Sequence, residues 1–243
     1  MSKKENPARN PAPIASTFQI VEAYKAIRTN LLFALSTSEN KIVAISSAEP
    51  NAGKSTSAAN LAITMAQTGA KVLLIDGDMR KPSLHKTFRV KRTNGLSMIL
   101  SGLAPLEDCI FREVAKGLDL IPSGTIPPNP SELLGSAAMD NLLTEISKQY
   151  DYVFIDMPPL GVVTDALILS SKVAGIALVC RQKQTTYEEL KAAIDNIRNV
   201  DGRFHGVIIT GVRRDLNSYG HYSKYRYYKY YNYSYSSTPS DHH

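Results

Sequence analysis

Few cysteines, no long apolar run and no internal repeat narrow the classes open to this chain. Its two cysteines, Cys109 and Cys180, lack metal-type spacing and a histidine near them in sequence, which argues against a zinc site, a disulfide or a cysteine nucleophile and leaves buried thiols as the expectation. The longest apolar stretches, such as Ala174 to Cys180, fall far short of the roughly 20 residues that span a bilayer. Met1 to Thr17 carry Lys3, Lys4 and three prolines without an apolar run. That start matches neither a secretory leader nor a membrane anchor, so a cytoplasmic protein is expected.

What is present is enough for one substantial core: 243 residues with 43% hydrophobic content, at the upper end of single-domain size. The net charge of +6 would point to an anionic partner if it covered one face, but much of the excess is terminal. Three regions are expected: a flexible segment over 1–17, a globular domain over 18–212 and a tyrosine-rich tail over 213–243.

Ile20 to Phe33 puts Ile20, Tyr24, Ile27 and Leu31 at helical spacing opposite Glu22, Lys25 and Arg28, the pattern of an amphipathic helix. Lys41 to Ser46 is a β-rich apolar run; a loop with Pro50 and Gly53 follows, and then an Ala- and Leu-rich helix over Ser55 to Gln67 with Gly69 as its stop. Further strands are expected over Lys71 to Ile75, Tyr152 to Ile155, Gly175 to Cys180 and Val207 to Thr210, with a helix over Tyr187 to Val200. Strands alternating with helices imply right-handed crossovers and an α/β fold, a mostly parallel sheet flanked by helices on both faces. Tyr24, Tyr150, Tyr152 and Tyr187 are expected to pack, whereas His85 and His205 carry no assignment.

The tail differs in kind. Tyr219 to Tyr235 holds nine tyrosines among Lys, Arg, Ser, Asn and His without an aliphatic residue, so it has little with which to offset its ordering entropy and is expected to be disordered.

Chemistry concentrates in Ala48 to Thr56, AEPNAGKST. A loop of this kind aims successive backbone N–H groups and the start of the next helix at phosphates; Gly53 allows close approach, Lys54 meets the outer oxygens and Ser55 holds Mg²⁺. Pro50, Asn51, Ala52, Gly53, Lys54, Ser55 and Thr56 are thus the candidate nucleotide-binding residues, with Ala48 standing where the strict pattern has Gly. Asp76, Asp78 and Asp156 end other expected strands, where open parallel sheets bind ligands. Each alone could cap a turn; together beside a phosphate loop they suit metal ligands or a base.

With Leu73 to Pro82 (LLIDGDMRKP), Val153 to Pro159 (VFIDMPP) and the tyrosine cluster added, the chain resembles the bacterial tyrosine kinases of capsule and exopolysaccharide synthesis, on a P-loop fold of the MinD and ParA type. The resemblance runs from about Glu22 to the C-terminus. It implies a non-specific protein-tyrosine kinase using ATP and Mg²⁺, which autophosphorylates Tyr219, Tyr222, Tyr225, Tyr227, Tyr228, Tyr230, Tyr231, Tyr233 and Tyr235. Lys54, Asp76 and Asp78 would be catalytic, with Asp76 the first and Asp78 the second candidate for the base, while Ser55, Asp78 and Asp156 would serve the metal. Glu22, Lys25 and Arg28 fall where the family has Glu-x-x-Arg-x-x-Arg, a pattern that holds a homo-oligomeric ring, an octamer being one size; Lys25 replaces the first Arg and loses its fork.

The resemblance also implies partners: the cytoplasmic segment of a membrane polysaccharide co-polymerase that activates the kinase and recruits it to the inner face of the membrane, and protein substrates such as nucleotide-sugar dehydrogenases or priming glycosyltransferases. Two other readings compete. A MinD- or ParA-like ATPase shares the nucleotide site but leaves the tail unexplained, and has a second lysine where this chain has Glu49. A tail of aromatics interleaved with Lys and Arg also suits single-stranded nucleic acid, although no nucleic acid is expected as a partner.

Overall fold

Continuous apolar strands bounded by helices leave one economical arrangement, a sheet buried on both faces. The computed structural model describes residues 17–212. In chain order they form α1 (Thr17–Ala34), β1 (Ile42–Ser47), α2 (Lys54–Ala66), β2 (Val72–Asp76), α3 (Leu84–Thr87), α4 (Leu96–Leu100), β3 (Phe111–Ala115) and β4 (Leu118–Ile121). There follow α5 (Pro130–Gly135), α6 (Ala137–Ser147), β5 (Tyr152–Asp156), α7 (Asp165–Ile168), β6 (Gly175–Arg181), α8 (Tyr187–Asn199) and β7 (Phe204–Thr210). The chain divides into two units at Gly211. The expectations placed on the N-terminal segment and the tyrosine cluster lie outside the described residues.

One seven-stranded sheet has the order β3-β4-β2-β5-β1-β6-β7, parallel throughout except for β3 against β4. Because side chains alternate along a strand, each central strand feeds two cores. Ile42, Ala44, Leu73, Ile75, Val153 and Ile155 face one cluster; Val43, Ile45, Val72, Leu74 and Phe154 face the other. Met139, Leu142, Leu143 and Ile146 of α6 cover the first at spacings of three and four, and Ala58, Leu61, Ala62 and Met65 of α2 cover the second in the same rhythm. A reciprocal capping box at Thr186 and Glu189 starts α8.

The strand order puts β1 between β5 and β6, while the chain leaves β1 through α2 for β2 on the far side of β5. That change of direction opens a crevice at the C-terminal ends of the strands, the place where such sheets bind ligands.

The expected elements are all present with ends shifted by a few residues. The hairpin of β3 and β4 was not foreseen: β4 has only four residues, β3 is partly exposed with Glu113 at φ 50°, and Gly117 at φ 74° makes the turn. Two packing expectations are corrected. Tyr187 is 73% exposed, because it opens α8 on its solvent side, and Ile20 is 47% exposed despite its place in the apolar rhythm of α1. Tyr24 and Tyr152 do pack against the second core, and Tyr150 is buried with its hydroxyl donating to Asp119 at 2.7 Å. Cys109 and Cys180 are free and buried. Among the described residues no helix is long and apolar enough to cross a membrane.

Phe154 has no exposed surface and fills the layer between α2 and the sheet. Phe154→Ala should cost about 3–5 kcal/mol of stability, read as a lower urea midpoint; a midpoint unchanged from wild type would contradict this placement.

Candidate phosphoryl-transfer site

The phosphate loop is built by local chain chemistry and then clamped from outside. Asn51 at φ 63° and Gly53 at φ 95° turn the backbone sharply between β1 and α2. The first bond of the α2 ladder joins the Ser57 N–H to the Gly53 carbonyl at 2.9 Å, so the N–H groups before it have no partner within the helix and are available to an anion. The loop carbonyls are turned away toward other donors. Gly161 N–H donates to Ala48 at 3.0 Å, Ser47 Oγ to Glu49 at 2.7 Å, Gln184 Nε2 to Pro50 at 3.3 Å, Arg181 Nη1 to Asn51 at 3.4 Å and Thr210 Oγ1 to Ala52 at 2.6 Å.

Lys54 opens α2 with its side chain only 11% exposed, and its Nζ lies 2.8 Å from Asp78 Oδ2 and 3.3 Å from Asp156 Oδ1. Burial alone would lower the ammonium's pKa, but Asp156 and Asp78 outweigh it and raise the value, so the lysine stays charged. Asp76 stands opposite Asp156 in the register of β2 and β5. Its Oδ2 accepts the N–H groups of Ser83 and Leu84 at 3.1 and 3.0 Å, while Oδ1 is buried with no protein partner among the described residues. Burial, with the Asp156 charge adding to it, pushes the Asp76 carboxyl up to about 7 against the pull of those two N–H groups. Asp78 is engaged at both oxygens, Oδ1 by the Lys81 N–H at 2.9 Å and Oδ2 by Lys54.

The structure therefore brings Lys54, Ser55, Asp76, Asp78 and Asp156 to one edge. Ser55 Oγ is 3.3 Å from Lys54 Nζ and its hydroxyl supports the Asp156 carboxylate. Asp156 Oδ2 is buried with no protein partner among the described residues. A hydroxyl beside a buried carboxylate oxygen that has no protein partner among the described residues suits a hard divalent cation, which would take its remaining ligands from phosphates and water. Pro50, Asn51 and Thr56 are exposed along the crevice, whereas Ala52 is buried.

Glu22, Lys25 and Arg28 sit elsewhere, on α1. Lys25 pairs with Glu22 at 2.8 Å, and Arg28 Nη1 donates to the Thr64 carbonyl in α2 at 2.8 Å, so all three charges are engaged within the chain, Glu22 and Lys25 with each other and Arg28 with α2. Sequence reasoning missed Arg80, Ser131 and Asp165. Arg80 stands in the quoted DGDMRKP stretch, but its partners arrive from α5 and α7, elements too short to announce themselves by periodicity.

An added Cβ at Gly161 would meet the Ala48 carbonyl at 2.3 Å. Gly161→Ala should push the loop aside and weaken ATP binding by about tenfold or more, measured by calorimetry; affinity equal to wild type would contradict this brace. The Asp76 carboxyl titrates higher folded than its unfolded value of about 4, so the folded state holds the extra proton between pH 4 and 7. Its contribution to stability is complete below about pH 4 and is lost as pH rises through about 7, on the order of 4 kcal/mol. In metal-free buffer, Asp76→Asn should flatten the fall in stability between about pH 4 and 7.

Comparison with known proteins agrees with this geometry. A family model described as an AAA domain matches residues 40–206. The tyrosine-protein kinase YwqD of Bacillus subtilis is 42% identical over 83% of this chain and 85% of its own. A longer relative from Klebsiella pneumoniae, named as a tyrosine-protein kinase in the cps region, is 40% identical over 87% of this chain, which spans 29% of that relative's length. Among solved structures, the kinase domain of the Escherichia coli tyrosine kinase ETK superposes with a TM-score of 0.79 at 33% identity, covering 91% of this chain and 88% of that one. The septum site-determining protein MinD of Pyrococcus horikoshii, at 23% identity and TM-score 0.61 over 72% of each chain, shares the fold.

Proposed function

Because the chain belongs to the bacterial tyrosine-protein kinases, we propose that it transfers the γ-phosphoryl group of ATP to its own tyrosine cluster, between subunits of a ring, and thereby regulates capsular or exopolysaccharide synthesis and export. The observation that carries this reading is Lys54 beside the phosphate loop, held 2.8 Å from Asp78 and 3.3 Å from Asp156.

In that reading the loop N–H groups of Asn51–Thr56 and the start of α2 cradle the phosphates, with Pro50 shaping the loop, and Lys54 leaves the two aspartates for the outer phosphate oxygens. Ser55 and Asp156, with Asp78 once Lys54 has moved, would hold Mg²⁺, which supplies neutralisation of phosphate charge. Transfer forms a bond from phosphorus to the phenolic oxygen and breaks the bond to the β-phosphate oxygen, with ADP leaving. The phenol, whose ordinary pKa is about 10, gives its proton to a carboxylate as that happens. Asp76 is the first candidate, since Oδ1 is unpartnered and its pKa lies near neutrality; Asp78 is the second. Tyr219, Tyr222, Tyr225, Tyr227, Tyr228, Tyr230, Tyr231, Tyr233 and Tyr235 are the proposed acceptors. About 25 extended residues reach up to about 80 Å, enough for a neighbouring subunit. Phosphate on all nine would add roughly −14 to −18 charges, turning a basic tail acidic and dispersing the ring by repulsion.

The domain bounds 1–17, 18–212 and 213–243 belong to this proposal, as does ring assembly through Glu22, Lys25 and Arg28. So do activation at the inner face of the membrane by the cytoplasmic segment of a polysaccharide co-polymerase, and substrates such as nucleotide-sugar dehydrogenases or priming glycosyltransferases. The test is mass spectrometry of the full chain after incubation with ATP, Mg²⁺ and the activating segment. Phosphate confined to Tyr219–Tyr235 and abolished in Lys54→Met is expected. ATP consumption without phosphotyrosine would replace the kinase with a MinD-like ATPase.

A further inference from the structure

Lys54 is gripped by aspartates from two separate loops, so the distance between those loops sets its position. Asp78 lies in the loop after β2, and Asp156 ends β5 and leads into the loop that braces the phosphate loop through Gly161. The two loops are joined at a second place. Arg80, two residues beyond Asp78, directs Nε to Asp165 Oδ2 at 2.9 Å and Nη2 to Asp165 Oδ1 at 3.0 Å. Ser131 closes the group, accepting from Arg80 Nη2 at 2.9 Å and donating to Asp165 Oδ1 at 2.8 Å. Asp165 begins α7, where the loop after Asp156 ends, and its side chain is wholly buried, whereas that of Arg80 is 38% exposed.

Such a fork does something an apolar contact does not. Two parallel charge-assisted bonds fix the guanidinium both in distance and in plane, whereas dispersion and burial are non-directional. For stability alone, a buried ion pair is matched or exceeded by apolar residues of similar volume. An arrangement this specific between the two loops that hold the reacting lysine points to alignment.

We propose that Arg80 is a positioning residue for phosphoryl transfer: through Asp165 and Ser131 it locks the Asp78 loop to the Asp156 loop, so that the two carboxylates keep their separation when ATP binds and Lys54 moves from them to the phosphates. Arg80 acts on geometry, so its loss slows turnover more than it weakens binding. The inference rests on the kinase reading only for the phosphotyrosine readout, since ATP turnover needs the same alignment.

The experiment uses the full chain with Mg-ATP and the activating segment, in three forms: wild type, Arg80→Lys, and the double variant Arg80→Met with Asp165→Leu. Arg80→Ala alone is avoided because it would orphan a buried carboxylate and threaten folding. ADP release, phosphotyrosine yield, ATP affinity and melting temperature are measured on each. Arg80→Lys keeps the charge but loses the fork, so ADP release should fall about tenfold while ATP affinity stays within about threefold, the signature of an interaction used in the transition state. The double variant should melt within about 5 °C of wild type and remain as slow. Wild-type turnover in Arg80→Lys would overturn the proposal, as would a double variant that regains turnover along with stability. If the double variant does not fold, Arg80→Lys decides alone. Wild-type protein that releases ADP without making phosphotyrosine would sink the kinase reading, while the ADP rates still judge Arg80.

Discussion

Three carboxylates and one ammonium buried at the end of a parallel sheet are the constraint around which this molecule is arranged. Asp76 and Asp156 are fully buried and Asp78 nearly so, with Lys54 only 9% exposed. Removing that much negative charge from water is costly unless it is compensated. Here the compensation is shared: Lys54 answers Asp78 and Asp156, backbone N–H groups answer Asp76 and Asp78, and the rise of the Asp76 pKa to about 7 shows where it is incomplete. A site with surplus buried negative charge, and with oxygens on Asp76 and Asp156 that have no partner among the described residues, is suited to a cation and to a proton. Phosphoryl transfer to a phenol brings both.

The fold supplies the rigidity this arrangement needs. Asp76 and Asp156 end β2 and β5, which are adjacent and in register, Asp78 follows two residues beyond β2, and the lysine comes from the first turn of a helix whose inner face is packed against the same sheet. None depends on a long flexible loop for its placement. The phosphate loop is the most contorted segment, yet the carbonyls of residues 48–52 are all taken by donors from neighbouring elements, so its N–H side is held open for an anion without the anion being there.

Family membership and local chemistry support each other at different grain. The match to tyrosine-protein kinases over most of the chain sets the class of reaction, while the charge balance around Lys54 says how this chain would perform it. The Arg80–Asp165–Ser131 group adds a connection between the loops that neither composition nor motif suggested.

The linear sequence by itself determined the alternation of strands and helices, the phosphate loop and the three aspartates. Each of those signals is local: a run of apolar residues, a Gly-Lys-Ser-Thr turn, or an acid at a strand end is written within ten consecutive residues. The family was legible for the same reason, because DGDMRKP and the tyrosine cluster are contiguous. Tertiary structure alone decided that β3 and β4 extend the sheet as a hairpin, since four residues carry too little periodicity to read. It also decided that Asp76 caps the backbone at Ser83 and Leu84, that Arg28 reaches across to Thr64, that Tyr187 faces solvent and that Arg80 finds Asp165. Those facts depend on which distant residues the sheet order brings side by side, and no local pattern encodes the partner of a charge 85 residues away in the chain.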